Sequence, residues 1–475
     1  MNAPLDSSST IPAQLAAIVG ARNVLTDAHD MALYLAEPRE LFHGRALCVV
    51  RPGSTAEVAA VMTFCSAHQV RVVPQGGNTG LVGGQIPGQG EVDEVLLSLK
   101  RLDKVREVDV SSSTMTVEAG LTLLRTQEEA EKAGMLFPLS LASEGSCTIG
   151  GNLSTNAGGT AVLAYGNARD LVTGLEVVLA DGRVLSSLSK LKKDNTGYDL
   201  KHLFMGSEGT LGIITAAVVK LFPRPRGMAT AFVGLADPHK ALGFLDLAQS
   251  RVGGDVKTFE IIPRFGVEIV LKHGQNIRDP LGSPHAWYVL IEITSMHETG
   301  VEDAMMGLLE AAAEQELIED AAVAASLDQR ASFWRIRELL SDLQKFEGGS
   351  IKHDVSVPVA SVPAFLDEAT AAVLTRMPGA RMVTFGHMGD GNIHFNITQP
   401  VGDDKEGFLD RWDEMNEIVH GVTTQYHGSI SAEHGIGTLK RDLLPGVKDP
   451  VALQVMRAIK ATLDPANILN PGKVL

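Results

Sequence analysis

The sequence predicts an α+β protein of two or three domains, on three observations. Its 475 residues exceed what one simple hydrophobic core organises. Helix-like and strand-like stretches alternate along it, with no internal repeat and no low-complexity linker. Its texture changes near Pro223: three glycine-rich segments precede that point, and longer helical patterns follow it. The boundaries expected are 1–222, 223–430 and 431–475, the first break following LFPRPRG, where two prolines interrupt the chain.

After an N-terminal helical segment, LCVVRPGSTAEVAAVMTFCSAHQVRVVPQGGNTG reads as strand, helix, strand and loop. Ser54 and Glu57 form a capping box at the helix start. Val58, Val61, Met62 and Cys65 then share one helical face. Between Glu91 and Ala119 the pattern turns to strands, including the alternating TMTVEAG. In LEVVLADGRVL, Asp181-Gly182 signals a hairpin turn. Beyond Pro223, FVGLADPHKALGFLDLAQ and VEDAMMGLLEAAAEQ read as helices and AWYVLIEI as a strand. The tail ATLDPANILNPGKVL ends in turn chemistry after a helix.

Hydrophobic residues at 44% and charged residues at 21% are ordinary for a soluble globular protein. A formal charge of −16 argues against nucleic acid and anionic membranes as partners, because it repels phosphate. A small anionic substrate stays compatible, since a cationic pocket can sit on an acidic protein. Cys48, Cys65 and Cys147 are widely separated without a CxxC pair, which fits a reducing compartment and no disulfide framework. The start MNAPLDSSSTIPAQ lacks the features of a signal or transit peptide, and apolar runs such as AWYVLIEI are far short of a membrane span. A cytoplasmic location is expected.

The glycine-rich segments are PQGGNTGLVGG (Pro74–Gly84), EGSCTIGGNLSTNAGG (Glu144–Gly159) and GSEGTLGIIT (Gly206–Thr215). Glycine lets backbone N–H groups approach a phosphate closely, and three such loops in one domain point towards a dinucleotide. The pattern is neither the Rossmann fingerprint nor a Walker A loop. Residue chemistry alone therefore stops at a phosphate-containing cofactor.

In this order the three segments resemble the FAD-binding domain of the vanillyl-alcohol oxidase (p-cresol methylhydroxylase) superfamily, in its FAD-linked oxidase type 4 branch. The resemblance runs from about residue 40 to the end. It implies a two-part FAD-binding domain followed by an α+β substrate domain. The first loop would cradle the pyrophosphate through Pro74, Gly76, Gly77, Asn78, Thr79 and Gly80. Ser146, Ile149, Gly150, Asn152 and Gly158 would line flavin and adenosine, and Glu208, Gly209, Gly212 and Ile213 would add backbone contacts. Asn470, in the terminal NPGK, resembles an element that folds back onto the flavin. PQGGNTG holds no histidine or cysteine, so the implied FAD is non-covalent, with Cys147 the only nearby attachment candidate.

FGHMGDGNIHFN places His387 and His394 seven residues apart around GDGN. In one strand that odd spacing would separate them, whereas a reversal at GDGN would let them converge. With Glu433 of SAEHGIG they would supply two nitrogens and one oxygen, a set typical of zinc with an open position. A general base and hydrogen-bonded core histidines are the other readings. If NIHFNIT is extended, His394 and Asn396 share one face, with Ile393, Phe395 and Ile397 on the other. Arg337 and Ser341, four apart in FWRIRELLSDL, would meet on one helical face. In SIKHDVSVP, Lys352 and Asp354 face opposite to Ile351, His353, Val355 and Val357. Arginine, hydroxyl and lysine suit a carboxylate, although a charged helix face is commonly just solvated.

These segments resemble most closely the D-2-hydroxyglutarate dehydrogenases. The resemblance implies His387, His394 and Glu433 as ligands of Zn²⁺ or another divalent metal, and His434 as general base and substrate contact. It implies Arg337 and Lys352 at the distal carboxylate and Asn396 near the C1 carboxylate, with Ser341 where relatives carry threonine. The expected reaction oxidises D-2-hydroxyglutarate, with D-malate as a further substrate, to the 2-oxo acid by hydride transfer to flavin N5. Segment 431–475 would complete the active site and return to the flavin domain. The electron acceptor would be external, an electron-transfer flavoprotein or a quinone-linked carrier; oligomeric state stays open, with a homodimer as candidate. The alternatives are a D-lactate or glycolate dehydrogenase of the same family, a metal-free FAD alcohol oxidase, and a non-catalytic ligand-binding protein.

Overall fold

A computed structural model describes residues 10–90 and 94–475; the segment MNAPLDSSS, on which much of the targeting expectation rests, lies outside them. The described chain forms two compact units. The first comprises the residues up to Gly159, Gly166–Pro223 and Glu433–Leu475; the second comprises Thr160–Tyr165 and Arg224–Ala432.

In the first unit, a four-stranded sheet has the order Val24–Leu25, Cys48–Val50, Glu94–Ser98 and Arg71–Gln75. Its last three strands are parallel. The helix Thr55–His68 buries Val58, Val61, Met62 and Cys65 against Val50, Val72 and Leu97 of this sheet. Burial lifts the Cys65 thiol to about 12, so it acts as a small core hydrophobe. Ser54 Oγ accepts the Glu57 N–H at 3.2 Å. The returning bond of the capping box goes one residue further back, from Gly53 N–H to Glu57 Oε2 at 2.8 Å. The chain's tail joins the same sheet: Val72 N–H donates to Ile468 O and Asn470 N–H to Val72 O.

A five-stranded antiparallel sheet follows, in the order Val105–Asp109, Thr114–Glu118, Ile213–Lys220, Val172–Val178 and Val184–Ser187. The Asp181-Gly182 turn joins the last two strands, with Gly182 at φ +85°. All of Thr114–Glu118 is buried despite its alternating sequence. The strand lies inside the sheet, and Glu118 is satisfied by Arg106 Nε at 3.2 Å.

The second unit is built on a seven-stranded antiparallel sheet. Its order is Asp320–Val323, Gly227–Leu235, Trp287–Ser295, Val256–Pro263, Arg381–His387, Asn392–Thr398 and Ser350–Ser356. One face carries Val289, Ile291, Ile393, Phe395 and Ile397, covered by the helices Pro238–Val252, Val301–Glu314, Val362–Arg376 and Trp412–Gln425. Truncating a fully buried aromatic such as Phe395 to alanine costs about 3–5 kcal/mol. The other face packs Phe232, Ile262, Tyr288 and Phe385 against the helices Arg264–His273 and Leu327–Glu338, and continues into a polar row. No described helix is long and apolar enough to cross a membrane.

Candidate active site

The loop after Arg71–Gln75 leaves the carboxyl end of a parallel strand, where open α/β sheets place their ligands. Asn78, at φ +62°, anchors it by donating to Ala36 O at 2.8 Å and Leu33 O at 3.2 Å. Gly77 is needed for close approach, since a Cβ there would lie 2.1 Å from Ser146 O of the second glycine-rich segment. The third segment is tied to the second through Glu208 N–H to Ser154 O at 2.8 Å.

Together these segments enclose a cavity of about 390 Å³ within the first unit, inside the roughly 300–1,000 Å³ range of small-molecule and cofactor sites. The six first-loop residues expected there, Pro74 and Gly76 to Gly80, all line it. So do Gly150, Asn152, Gly158, Glu208, Gly209 and Gly212, with Ile213. Ser146 lines a neighbouring recess, and Ile149 is buried. Asn470 lies outside the lining; its side-chain amide donates to Gly84 O at 2.9 Å and Glu208 O at 2.7 Å. The residue reading missed Leu141, Ser143, Thr148 and Thr155, which also line the cavity. The hydroxyls of Ser143, Thr148 and Thr155 were the available signal.

Glu433 and His434 also line this cavity. Glu433 Oε1 accepts the Gly159 N–H at 2.8 Å. The loop that carries them is held by buried Glu208, whose carboxylate accepts Ile436 N–H at 2.6 Å and Gly437 N–H at 2.9 Å. Burial raises the Glu208 pKa, and those two N–H groups oppose the shift.

In the second unit, the odd-spaced histidines lie on a hairpin. His387 pairs with Asn392 and Phe385 with His394, so the two histidines are diagonal neighbours on one face. Their ring centroids are 5.8 Å apart. The turn is closed by Gly391 N–H to His387 O at 3.1 Å. Gly391, at φ +84°, has no room for a side chain, because a Cβ would meet Val357 O at 2.1 Å.

The neighbouring strands extend that face. Asp354 lies opposite His394 and Lys352 opposite Asn396, while Ile351, Val355, Ile393 and Phe395 enter the core behind it. Asn396 Nδ2 donates to Gln344 Oε1 at 3.0 Å, and Lys352 Nζ donates to Ser341 O at 3.0 Å. Arg337 and Ser341 do not share one continuous helix. Leu327–Glu338 and Leu340–Leu343 are separate, with Leu339 at ψ −11° and Leu340 fully buried. Leu340 enters the core, and Ser341 beside it is exposed.

Glu260, which residue chemistry did not single out, lies opposite His387 on the next strand. It is fully buried; His387 Nδ1 donates to one carboxylate oxygen, and Arg337 Nε donates to the other at 2.5 Å. Burial pushes its pKa up, but the interactions with His387 and Arg337, hydrogen bonds from both among them, prevail and hold it at about 2. An acid inside the apolar run VKTFEIIP was the available signal.

Residues 46–187 match the family model "FAD binding domain", and residues 224–474 match "FAD linked oxidases, C-terminal domain". The chain belongs to the FAD-linked oxidase family. This family member is a FAD-dependent oxidoreductase. It is 38% identical over 459 residues to a probable mitochondrial D-2-hydroxyglutarate dehydrogenase of Oryza sativa subsp. indica, covering 96% of this chain and 80% of the relative. It is 36% identical over 457 residues to the D-2-hydroxyglutarate dehydrogenase of Xanthomonas citri pv. viticola, covering 96% and 95%. Among solved structures, p-cresol methylhydroxylase with substrate bound matches at TM-score 0.77 and 19% identity, over 99% of this chain and 98% of the other. Alkyldihydroxyacetonephosphate synthase matches at TM-score 0.74 and 19% identity, over 99% and 86%. At these identities the likeness establishes the shared α+β fold.

The residues fit the cofactor. Gln75 lines the cavity with a buried Oε1 that lacks a hydrogen-bond partner among the described residues, an acceptor a bound ligand can satisfy. Glycines and backbone amides dominate the first loop, which suits a pyrophosphate. A divalent metal fits the hairpin in chemistry: two imidazoles on one face with centroids 5.8 Å apart admit one ion at about 2.0–2.1 Å from a nitrogen of each.

Proposed function

We propose that this family member is a D-2-hydroxyglutarate dehydrogenase that oxidises the D-2-hydroxy acid, with D-malate as a second substrate, to the 2-oxo acid. The observation that carries the reading is the polar row of the second unit's sheet, where His387 and His394 stand beside Asp354, Lys352 and Asn396, with Arg337 reaching the same row through Glu260. The names and near-full-length similarity of its relatives support the substrate.

In this reading His387, His394 and Glu433 hold a divalent metal, zinc by the chemistry of the donors. Non-covalent FAD, when bound, would supply the hydride acceptor, and a metal would supply Lewis acidity towards the substrate hydroxyl. His434 takes the hydroxyl proton as general base. Arg337 and Lys352 bind the distal carboxylate, whose second charge a monocarboxylic substrate lacks. Asn396, oriented by Gln344, stands near the C1 carboxylate. Electrons leave to an external carrier, an electron-transfer flavoprotein or a quinone-linked protein.

The test is anaerobic flavin bleaching with a panel of D- and L-2-hydroxy acids, run with and without a chelator. D-2-hydroxyglutarate should bleach the flavin fastest, and chelation should abolish bleaching while FAD stays bound. Bleaching that survives chelation would overturn the metal assignment, and equal rates with D-lactate would overturn the substrate.

A further inference from the structure

We propose that Glu260 is a positioning residue that binds the metal histidine and the substrate arginine into one rigid unit, an inference that rests on the function proposed above. The Glu260 carboxylate is divided between two partners, one oxygen for His387 Nδ1 and the other for Arg337 Nε. It lies in mid-sheet on Val256–Pro263, with 0% exposure. An unpaired carboxylate is strongly disfavoured in such a place, so both bonds are needed to keep it there.

Each bond has a chemical consequence. With the proton on Nδ1 donated to the carboxylate, the neutral imidazole carries its lone pair on Nε2, the tautomer a metal requires. The same bond makes the ring a more basic ligand. On the other side, Glu260 occupies the Nε edge of Arg337, while the guanidinium lies 4.6 Å from the Phe385 ring centroid. Edge and plane are thereby set, which aims the two Nη groups as the fork that receives a carboxylate. Because one side chain anchors both groups, the spacing between hydroxyl-binding and distal-carboxylate-binding ends becomes a fixed ruler for substrate length.

The test compares the wild-type holoenzyme with Glu260→Gln and Glu260→Asp. An amide offers one acceptor where two donors must be met; aspartate keeps the charge but is one methylene short. Zn²⁺ affinity is measured by competition with a chromophoric chelator, and KM for D-2-hydroxyglutarate and D-lactate is measured alongside. Glu260→Gln should weaken Zn²⁺ by about 10–100-fold. Its KM should rise at least about 10-fold more for D-2-hydroxyglutarate than for D-lactate, the loss expected when a charge-assisted bond is misaimed. Glu260→Asp should show smaller losses of both kinds, which keeps the test decisive if the glutamine variant does not fold. Variants that keep wild-type Zn²⁺ affinity, or lose it without a change in the KM ratio, would overturn the coupling alone. A wild type without tight Zn²⁺ binding would overturn the function proposed above and this inference with it.

Discussion

Glu208 holds Gly437: its carboxylate accepts the Gly437 N–H at 2.9 Å and that of neighbouring Ile436 at 2.6 Å. The preceding residues, Glu433 and His434, line the cavity that Glu208 also lines. Glu208→Ala leaves two inward N–H groups without an acceptor, at about 1–3 kcal/mol for each group that stays buried. Flavin content, read as the ratio of absorbance at 450 and 280 nm, should fall below half of wild type, with a lower Tm. Full flavin retention at an unchanged Tm would remove the assigned role.

His434→Ala separates chemistry from cofactor binding. Loss of a general base lowers kcat by about 10²–10⁴-fold. The glycines and backbone amides of the first loop that suit the pyrophosphate are left unchanged, so FAD occupancy should stay at the wild-type level. A variant with full turnover would exclude His434 as the base.

Arg337→Ala should act on selectivity. Losing a charge-assisted contact of about 1.5–3 kcal/mol lowers kcat/KM for D-2-hydroxyglutarate roughly 10–100-fold. D-Lactate has no distal carboxylate and should lose less, its share of the loss coming through the Glu260 carboxylate that Arg337 and His387 hold together. Matching losses on both substrates would argue against a distal carboxylate site at this residue.

Glu292 supplies a pH prediction through partners other than the proposed metal ligands. It is fully buried and accepts from Arg330 Nε at 2.7 Å, Lys257 Nζ at 2.8 Å and Thr230 Oγ1 at 2.9 Å. Burial pushes its pKa up, but Arg330 and Lys257 outweigh this and bring it from 4.5 to about 2. A carboxylate depressed on folding contributes stability that is complete above its unfolded value and is lost as pH falls through its folded value. Acid unfolding should therefore include a Glu292 contribution that fades between pH 4.5 and about 2. Glu292→Gln should be less stable at pH 7 and lose stability less steeply across that window. Parallel stability curves for the two proteins would contradict the assignment.

The legible parts of the site depended on local rules. Alternation in NIHFNIT separates His394 and Asn396 from the core residues between them, as the sheet shows. GDGN marks the reversal that makes His387 and His394 diagonal neighbours. Glu260 was not legible because its meaning depends on which strand lies beside Arg381–His387, a pairing that spans 127 residues between Glu260 and His387. Complete burial of Thr114–Glu118 likewise reflects neighbouring strands. Asn470 entered only through the resemblance, and its partners, the carbonyls of Gly84 and Glu208, emerge only from the fold.

The membership of Thr160–Tyr165 in the second unit bears on how such proteins can be recombined. Leu163 of that segment packs on the second unit's core and comes so near Gly389 that a Cβ there would lie 2.7 Å from its Cδ2. Gly389 is in the histidine hairpin's turn. A gene fragment cut at 223/224 and 432/433 would carry both histidines but abandon the leucine that buttresses their turn. Swapping this half between relatives as a cassette would therefore transplant a site with a gap beneath it, so its inheritance is tied to six residues encoded elsewhere.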